Sequence, residues 1–264
     1  MTATQVSPDL RSRGAAPPFV VAFRFAAPGD LRYLSHHDEL RMLARICRRA
    51  DLPLAFSRGF NPQPKARLPL PRPVGVGSQC EWAFIELTRP MSAADLAEKL
   101  RRAAPPGCEP LELIAPATRA TPHARRVEYV VTLAADDVAG TCEAIAALLA
   151  APRVETVRTY GPKRAARKVD IRPFVETLEL DGRTLRMRVE LRSGATARPS
   201  EVLTVLGLPA VKYAHRVERV QVEWDIEIAA PIEDAASERT NLGKGKDGEE
   251  TRRDSTEENS EKET

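Results

Sequence analysis

RYLSHHDELRMLARICRRADLPLAFSRGFNPQPKARLPLPRPVGVG, Arg32 to Gly77, holds one capped helix, one short extended run and a long loop rich in proline, glycine and cations. Ser35 stands where an N-cap side chain accepts from a backbone N–H, and Asp38 follows at the capping-box spacing. His36, Asp38 and Glu39 fill the first turn, where carboxylates suit the positive end of the helix dipole. Leu40, Leu43, Ala44 and Cys47 repeat at helical spacing, and Met42 and Ile46 widen the apolar stripe. Arg41, Arg45, Arg48 and Arg49 fall on the other side as a cationic ridge.

Outward from this stretch the first half has a regular order. Phe19, Val21, Phe23 and Phe25 alternate as a strand before the helix. Leu54 to Ser57 is a short strand after it. Gln79 to Thr88 is a longer strand, with Cys80, Trp82 and Phe84 on one face and Ala83, Ile85 and Leu87 on the other. Ser92 caps a second helix, Pro105-Pro106-Gly107 ends it, and Cys108 to Ile114 supplies a last strand. The order is β-α-β-β-α-β. From Val127 a similar rhythm returns: a strand to Leu133, a helix from Asp136 carrying Val138, Cys142, Ile145, Ala146 and Leu149, and a strand over 154–160. A hairpin joins Phe174–Leu180 to Leu185–Leu191 through Asp181-Gly182, then Pro199 opens a helix that Gly207 closes, and Val220, Val222, Trp224 and Ile226 finish the unit. The expected fold class is α+β: two ferredoxin-like units in tandem over 18–116 and 127–230, joined by a basic connector at 117–126. Residues 1–17 read as a flexible leader and 231–264 as a disordered tail.

Composition narrows the function classes. The chain of 264 residues is 42% hydrophobic and 29% charged, as in soluble globular proteins. No apolar run approaches the ~20 residues needed to span a bilayer, and the start lacks the apolar core of a secretory signal, so a cytoplasmic protein is expected. Cys47, Cys80, Cys108 and Cys142 are far apart without a CxxC pair, which favours free thiols over disulfides or zinc. From Glu233 onward eleven acidic and six basic residues give a net −5. The total of +3 therefore leaves +8 on residues 1–232.

The candidate working surface is the central stretch. Arg41, Arg45, Lys65 and Arg67 are placed to hold phosphates, with Arg58 and Arg72 as further cations in the loop. Ser35, His36 and Asp38 shape the helix start. Gly59 and Asn61 turn the loop, and Gly75 and Gly77 permit a close backbone approach. No GK[ST] follows, so this is not a P-loop. Lys163, Arg164, Arg167 and Lys168 form a second basic cluster. Trp82 and Phe84 are either core or a stacking surface for RNA bases. His36 and His37 are the candidate general bases for a metal-independent ribonuclease. A metal site is not expected, because adjacent helical residues diverge by ~100° and only His123 and His215 remain as further histidines.

Four runs carry a family resemblance: YLSHHDELRMLARICRRADLPLAFSRGFNPQPK from Tyr33, LPLPRPVGVGSQCEWAFIEL from Leu68, KVDIRPFV from Lys168 and ARPSEVLTVLGL from Ala197. Together they resemble a bacterial domain of unknown function, the radical SAM-linked or radical SAM-associated family, over roughly Phe19 to Trp224. Members occur alone or fused behind a radical SAM enzyme, often near genes for ribosomal proteins and ribonuclease E/G. The resemblance implies an accessory role beside such an enzyme and supplies no reaction. The family often has His where this chain has Gln63, and Leu where it has His37, so a role requiring an ionisable side chain at 63 does not transfer. The chain lacks the CxxxCxxC triplet of a radical SAM enzyme. The expectation is an RNA- or ribonucleoprotein-binding accessory protein without a cofactor. A ribonuclease and a protein-only adaptor are the alternatives.

Overall fold

The structure is a computed structural model and describes residues 19–114, 121–159 and 165–225, with the backbone of 5–6. The rest of the expected leader, Lys163, Arg164 and the expected acidic tail lie outside the described residues. The protein is α+β, built on one large mixed sheet. In chain order the strands are β1 (Gln5–Val6), β2 (Phe19–Ala27), β3 (Ala66–Arg67), β4 (Gly77–Leu87), β5 (Glu112–Ile114), β6 (Ala124–Thr132), β7 (Glu155–Arg158), β8 (Arg167–Asp170), β9 (Val175–Asp181), β10 (Thr184–Glu190) and β11 (Glu218–Trp224). The helices are α1 (His36–Arg49), α2 (Ala93–Ala103), α3 (Thr141–Ala150), α4 (Pro199–Val205) and α5 (Ala210–Tyr213). No helix among the described residues is long and apolar enough to cross a membrane.

The large sheet runs β1-β5-β2-β4-β11-β6-β10-β9, with β3 beside β4. Within the first half, β5, β2, β4 and β3 are neighbours and all antiparallel. In the second half, β11, β6, β10 and β9 repeat that order, again antiparallel. The two halves share one sheet because β4 and β11 pair in parallel, Gly77 opposite Glu218 and Ser78 opposite Arg219. Residues 5–6, expected within the leader, add a parallel strand beside Glu112 and Leu113.

Two apolar cores follow from the periodicities. Val21, Phe23 and Phe25 of β2 meet Leu43, Ile46 and Cys47 of α1 and Leu96 and Leu100 of α2. Val127, Tyr129 and Val131 of β6 meet Ile145 and Leu148 of α3 and Val202 and Leu203 of α4. On α3 the buried positions are Thr141, Ile145 and Leu148, so Cys142 and Ala146 face solvent. The inward stripe is thus shifted from the one expected from Val138, Cys142 and Leu149. The hairpin pairs Asp181 with Thr184, so its two-residue loop is Gly182-Arg183, one position later than expected. Gly182 alone takes positive φ there, as a type II′ loop requires.

The run 154–160 does not enter the large sheet. Glu155–Arg158 pairs with Arg167–Asp170 as a separate two-stranded sheet. Its sequence, ETVR, has no apolar face to bury: Glu155 and Val157 are exposed on one side, and Arg158 on the other is taken by a buried ion pair with Glu201 at 2.6 Å. This also places Arg167 and Lys168 on a strand rather than in a loop.

The proline-rich segment from Leu68 to Val76 stitches the two cores together. Leu68 packs into the first, Leu70 and Val76 into the second. The close approach that Gly75 and Gly77 permit is made to the chain itself. Gly75 has a φ of +92° and sits against the Ala214 carbonyl. Gly77 donates to the Val217 carbonyl at 2.9 Å, and a Cβ there would overlap the Glu218 carboxylate, which Arg32 holds at 2.7 Å. Gly77→Ala is therefore expected to push the Glu218 carboxylate aside and loosen its pair with Arg32, costing up to about 1 kcal/mol, measured as a lower denaturant midpoint with unchanged slope.

Candidate functional site

The exposed side of α1 forms one wall of a groove of about 460 Å³. Ser35 fixes the start of this helix, its Oγ accepting from the Asp38 backbone N–H at 3.2 Å and donating to the Asp38 carboxylate at 2.7 Å. That hydroxyl holds the Asp38 carboxyl below the usual carboxylate range, and Arg41 adds to the effect. His37, Arg41, Arg45 and Arg48 then follow at steps of four, four and three, and all four line the groove. Gln63, Pro64 and Ala66 line it from the loop. The loop is tied down as an irregular hairpin: Phe56 pairs with Pro64, Ser57 N–H donates to the Gln63 carbonyl at 2.8 Å, and Lys65 N–H to the Ala55 carbonyl at 2.9 Å. At its tip Arg58, Gly59, Phe60 and Asn61 are exposed, Phe60 completely. The Asn61 side-chain oxygen accepts from the Gln63 amide at 3.1 Å.

The groove gathers some of the expected residues and leaves others elsewhere. Arg41 pairs with Asp38 at 3.0 Å, both well exposed, whereas Arg45 and Arg48 carry no ion pair among the described residues. Lys65 is held by Glu86 at 3.0 Å, and Arg67 donates to Thr121 Oγ1 at 3.2 Å. Arg72 leaves the surface altogether. Its guanidinium is buried, donating to Glu39 at 2.8 Å and to the carbonyls of Leu31 and Arg32 at 2.9 Å. Phe84 is buried with Ala22 and Ile114, and half-buried Trp82 packs beside them with Trp224, so these aromatics cover the back of the sheet rather than offering an open stacking surface. Arg167 and Lys168 are exposed on β8, where Lys168 pairs with Glu155 at 3.5 Å, and neither lines the groove.

Residues 21–199 match the model of a family described as "Uncharacterized protein conserved in bacteria (DUF2344)". The chain belongs to the DUF2344 family. That match covers the groove, the proline-rich segment and the start of α4. No curated protein matches this DUF2344 chain. Among solved structures it is similar to a chain of "Crystal Structure of a Cbf5-Nop10-Gar1 Complex", at 16% identity and a TM-score of 0.39, with 78% of this chain and 49% of that one covered. This chain thus spans about half of that chain's length, and a likeness at that level carries no property across.

Two buried ion pairs of the DUF2344 protein go beyond what the sequence predicts. Glu39 faces inward from α1 to Arg72, and burial lifts its carboxyl above the usual range while the Arg72 charge pulls the other way. Arg219 of β11 donates to both oxygens of Glu81 on β4, at 2.9 and 3.2 Å, and to the Pro71 carbonyl at 3.0 Å. Burial opposes its charge, but Glu81 and Tyr129 beside it hold it firmly protonated. A signal existed for each acid. Glu39 lies four residues before Leu43 on the buried stripe, and Glu81 shares the parity of Ala83, Ile85 and Leu87.

The histidines differ in kind. His37 is exposed in the groove, while His36 is half-buried and its Nδ1 has no hydrogen-bond partner. Burial lowers the His36 pKa below 6.5, His37 adds to this, and Glu81 opposes it. The unfolded chain therefore binds the His36 proton more readily than the fold does. The stability from this site is complete above pH 6.5 and declines as the pH falls below it. A thermal melt from pH 7.5 down to 5.5 is expected to show this loss, with a shallower slope in His36→Gln. Three of the thiols are poor nucleophiles, because burial pushes Cys47 and Cys108 up to about 12 and Cys80 to about 11.

Proposed function

We propose that this protein binds RNA, or the RNA of a ribonucleoprotein, through the groove between α1 and the 57–66 hairpin. The observation that carries the reading is the row His37, Arg41, Arg45 and Arg48 along one wall of a groove, with Arg45 and Arg48 free of ion pairs among the described residues. Cations left unpaired on a rigid helix are positioned for phosphates, and neutralising phosphates releases counterions. The fully exposed Phe60 at the hairpin tip, beside Arg58, supplies the kind of surface on which an unpaired base stacks. This favours single-stranded RNA over duplex, because only unstacked bases reach such a side chain.

The antiparallel fourth-first-third-second strand order in each half supports reading the fold as two fused ferredoxin-like units. The resemblance of the four sequence runs to the radical SAM-associated family supports an accessory role in which the bound RNA is presented to such an enzyme. The test is a titration of a short single-stranded RNA from 50 to 200 mM salt. Three arginine contacts imply that log K falls with log salt at a slope of about −2 for single strands. Binding that ignores salt would overturn the reading and leave the protein-only adaptor.

A further inference from the structure

The two walls of the α1 groove differ in chemistry. The α1 wall carries the cations, with Leu40 and Ala44 beside them as an apolar strip. The hairpin wall consists of Gln63, Pro64 and Ala66, and its backbone polar groups are mostly spent. The Gln63 N–H donates to Ser57 Oγ at 3.0 Å, and the Gln63 carbonyl accepts from the Ser57 N–H at 2.8 Å. Pro64 has no N–H, and its carbonyl accepts from the Ala66 N–H at 2.9 Å. Between them, the Lys65 N–H and carbonyl are taken by Ala55 and Glu86, at 2.9 and 3.0 Å. The Gln63 carboxamide is therefore the polar side chain that this wall has left for a ligand. Its Nε2 donates one hydrogen to Asn61 Oδ1 at 3.1 Å. The exposed side chain keeps a second N–H and its Oε1 without a partner among the described residues. The ties to Ser57 and Asn61 hold this donor–acceptor pair in place before a ligand arrives, which lowers the cost of ordering it on binding.

A nucleotide has parts that suit both walls. Its phosphate suits the arginines, the flat face of its base suits Leu40 and Ala44, and the polar edge of the base suits a carboxamide. We propose that Gln63 reads the base edge in the groove and selects adenine. Its Oε1 accepts from the adenine N6 amine while its free N–H donates to the ring nitrogen alongside, a bidentate match. Adenine presents that donor beside an acceptor on both its Watson–Crick and its Hoogsteen edge. On the Hoogsteen edge guanine offers two acceptors, cytosine a donor alone and uracil an acceptor alone, so each forfeits one of the two bonds. The choice of adenine rests on the RNA reading of this same groove and adds the base that it prefers.

The test titrates the full chain, at about 50 mM salt, with short oligouridine RNAs carrying a single central A, C, G or U. The adenine-containing RNA is expected to bind roughly tenfold more tightly than the other three. Purine in place of the adenine, which lacks the N6 amine, should lose most of that advantage. Gln63→Ala should bring the four RNAs to one affinity with the salt slope unchanged, because no phosphate contact is lost. Gln63→Glu keeps an acceptor and loses the donor, so it should turn the preference to cytosine, whose N4 amine a carboxylate accepts from. A merely structural role for Gln63 would not produce that switch. Salt-dependent binding that ignores the base, or an adenine preference that survives in Gln63→Ala, would overturn the assignment and leave the RNA reading standing. Failure of all four RNAs to bind would remove both.

Discussion

Replacing Arg219 by Ala is expected to lower stability by about 3–5 kcal/mol, the cost of stranding one partner of a buried ion pair. Glu81 is 3% exposed and would be left in the core without its counterion. The Pro71 carbonyl would lose its donor, and with it one anchor of the segment that joins the two cores. Because β4 and β11 are the strands on which the halves meet, the loss falls on the junction between them. At roughly 2–4 °C per kcal/mol for a chain of this size, the melting temperature should fall by about 6–20 °C. The double replacement Glu81→Met with Arg219→Met should recover most of this, since a well-packed apolar pair often matches or exceeds a buried ion pair. A single-variant cost below about 1 kcal/mol, the scale of a surface pair, would mean that Arg219 and Glu81 are not buried together.

The second large effect concerns binding. Arg41, Arg45 and Arg48 are exposed, so replacing all three by Ala should leave the melting temperature almost unchanged. Affinity for single-stranded RNA should fall by roughly 10²-fold at low salt, and the salt slope should flatten by about 2, one phosphate contact per arginine. Phe60→Ala is expected to act differently. Losing a stacked base removes about 1–3 kcal/mol, while the salt slope stays as it was because no phosphate contact is lost. A triple variant that weakens binding without flattening the slope would place the RNA elsewhere.

Much of the fold was legible because its strands and helices carry one clear period each. Alternation in Val21, Phe23 and Phe25, and the four-and-three spacing from Leu43 to Cys47, both led to buried faces. The Ser35 cap was legible because a capping box is a local hydrogen-bond pattern. The end of the chain was harder. β11 shifts register between Arg219 and Gln221 where it pairs with β6, so the parity read from Val220 and Val222 does not extend back to Val217 and Arg219, which are buried. The groove was partly legible, since Arg41, Arg45 and Arg48 share a helix face, although Arg49 of the same ridge does not line it. By its chemistry His37 suggests a general base rather than a member of that row, and Gln63 is notable in the sequence only as a departure from the family resemblance. Arg72 illustrates the opposite limit. A lone cation in LPLPRPVGVG reads as a surface charge, and only the fold brings Glu39 to it from 33 residues away. Glycines 75 and 77 were legible as sites of close approach, but not that β11 and its flank are what approaches.

The central claim is that the α1 groove holds RNA. Its most direct test is ultraviolet crosslinking in cells, with sequencing of the RNA and mass mapping of the crosslinked peptides. The account predicts crosslinks concentrated within residues 37–48 and 57–66, Phe60 included, on a restricted set of RNA sites. Crosslinks absent from both segments, beside a co-purifying radical SAM enzyme, would contradict it.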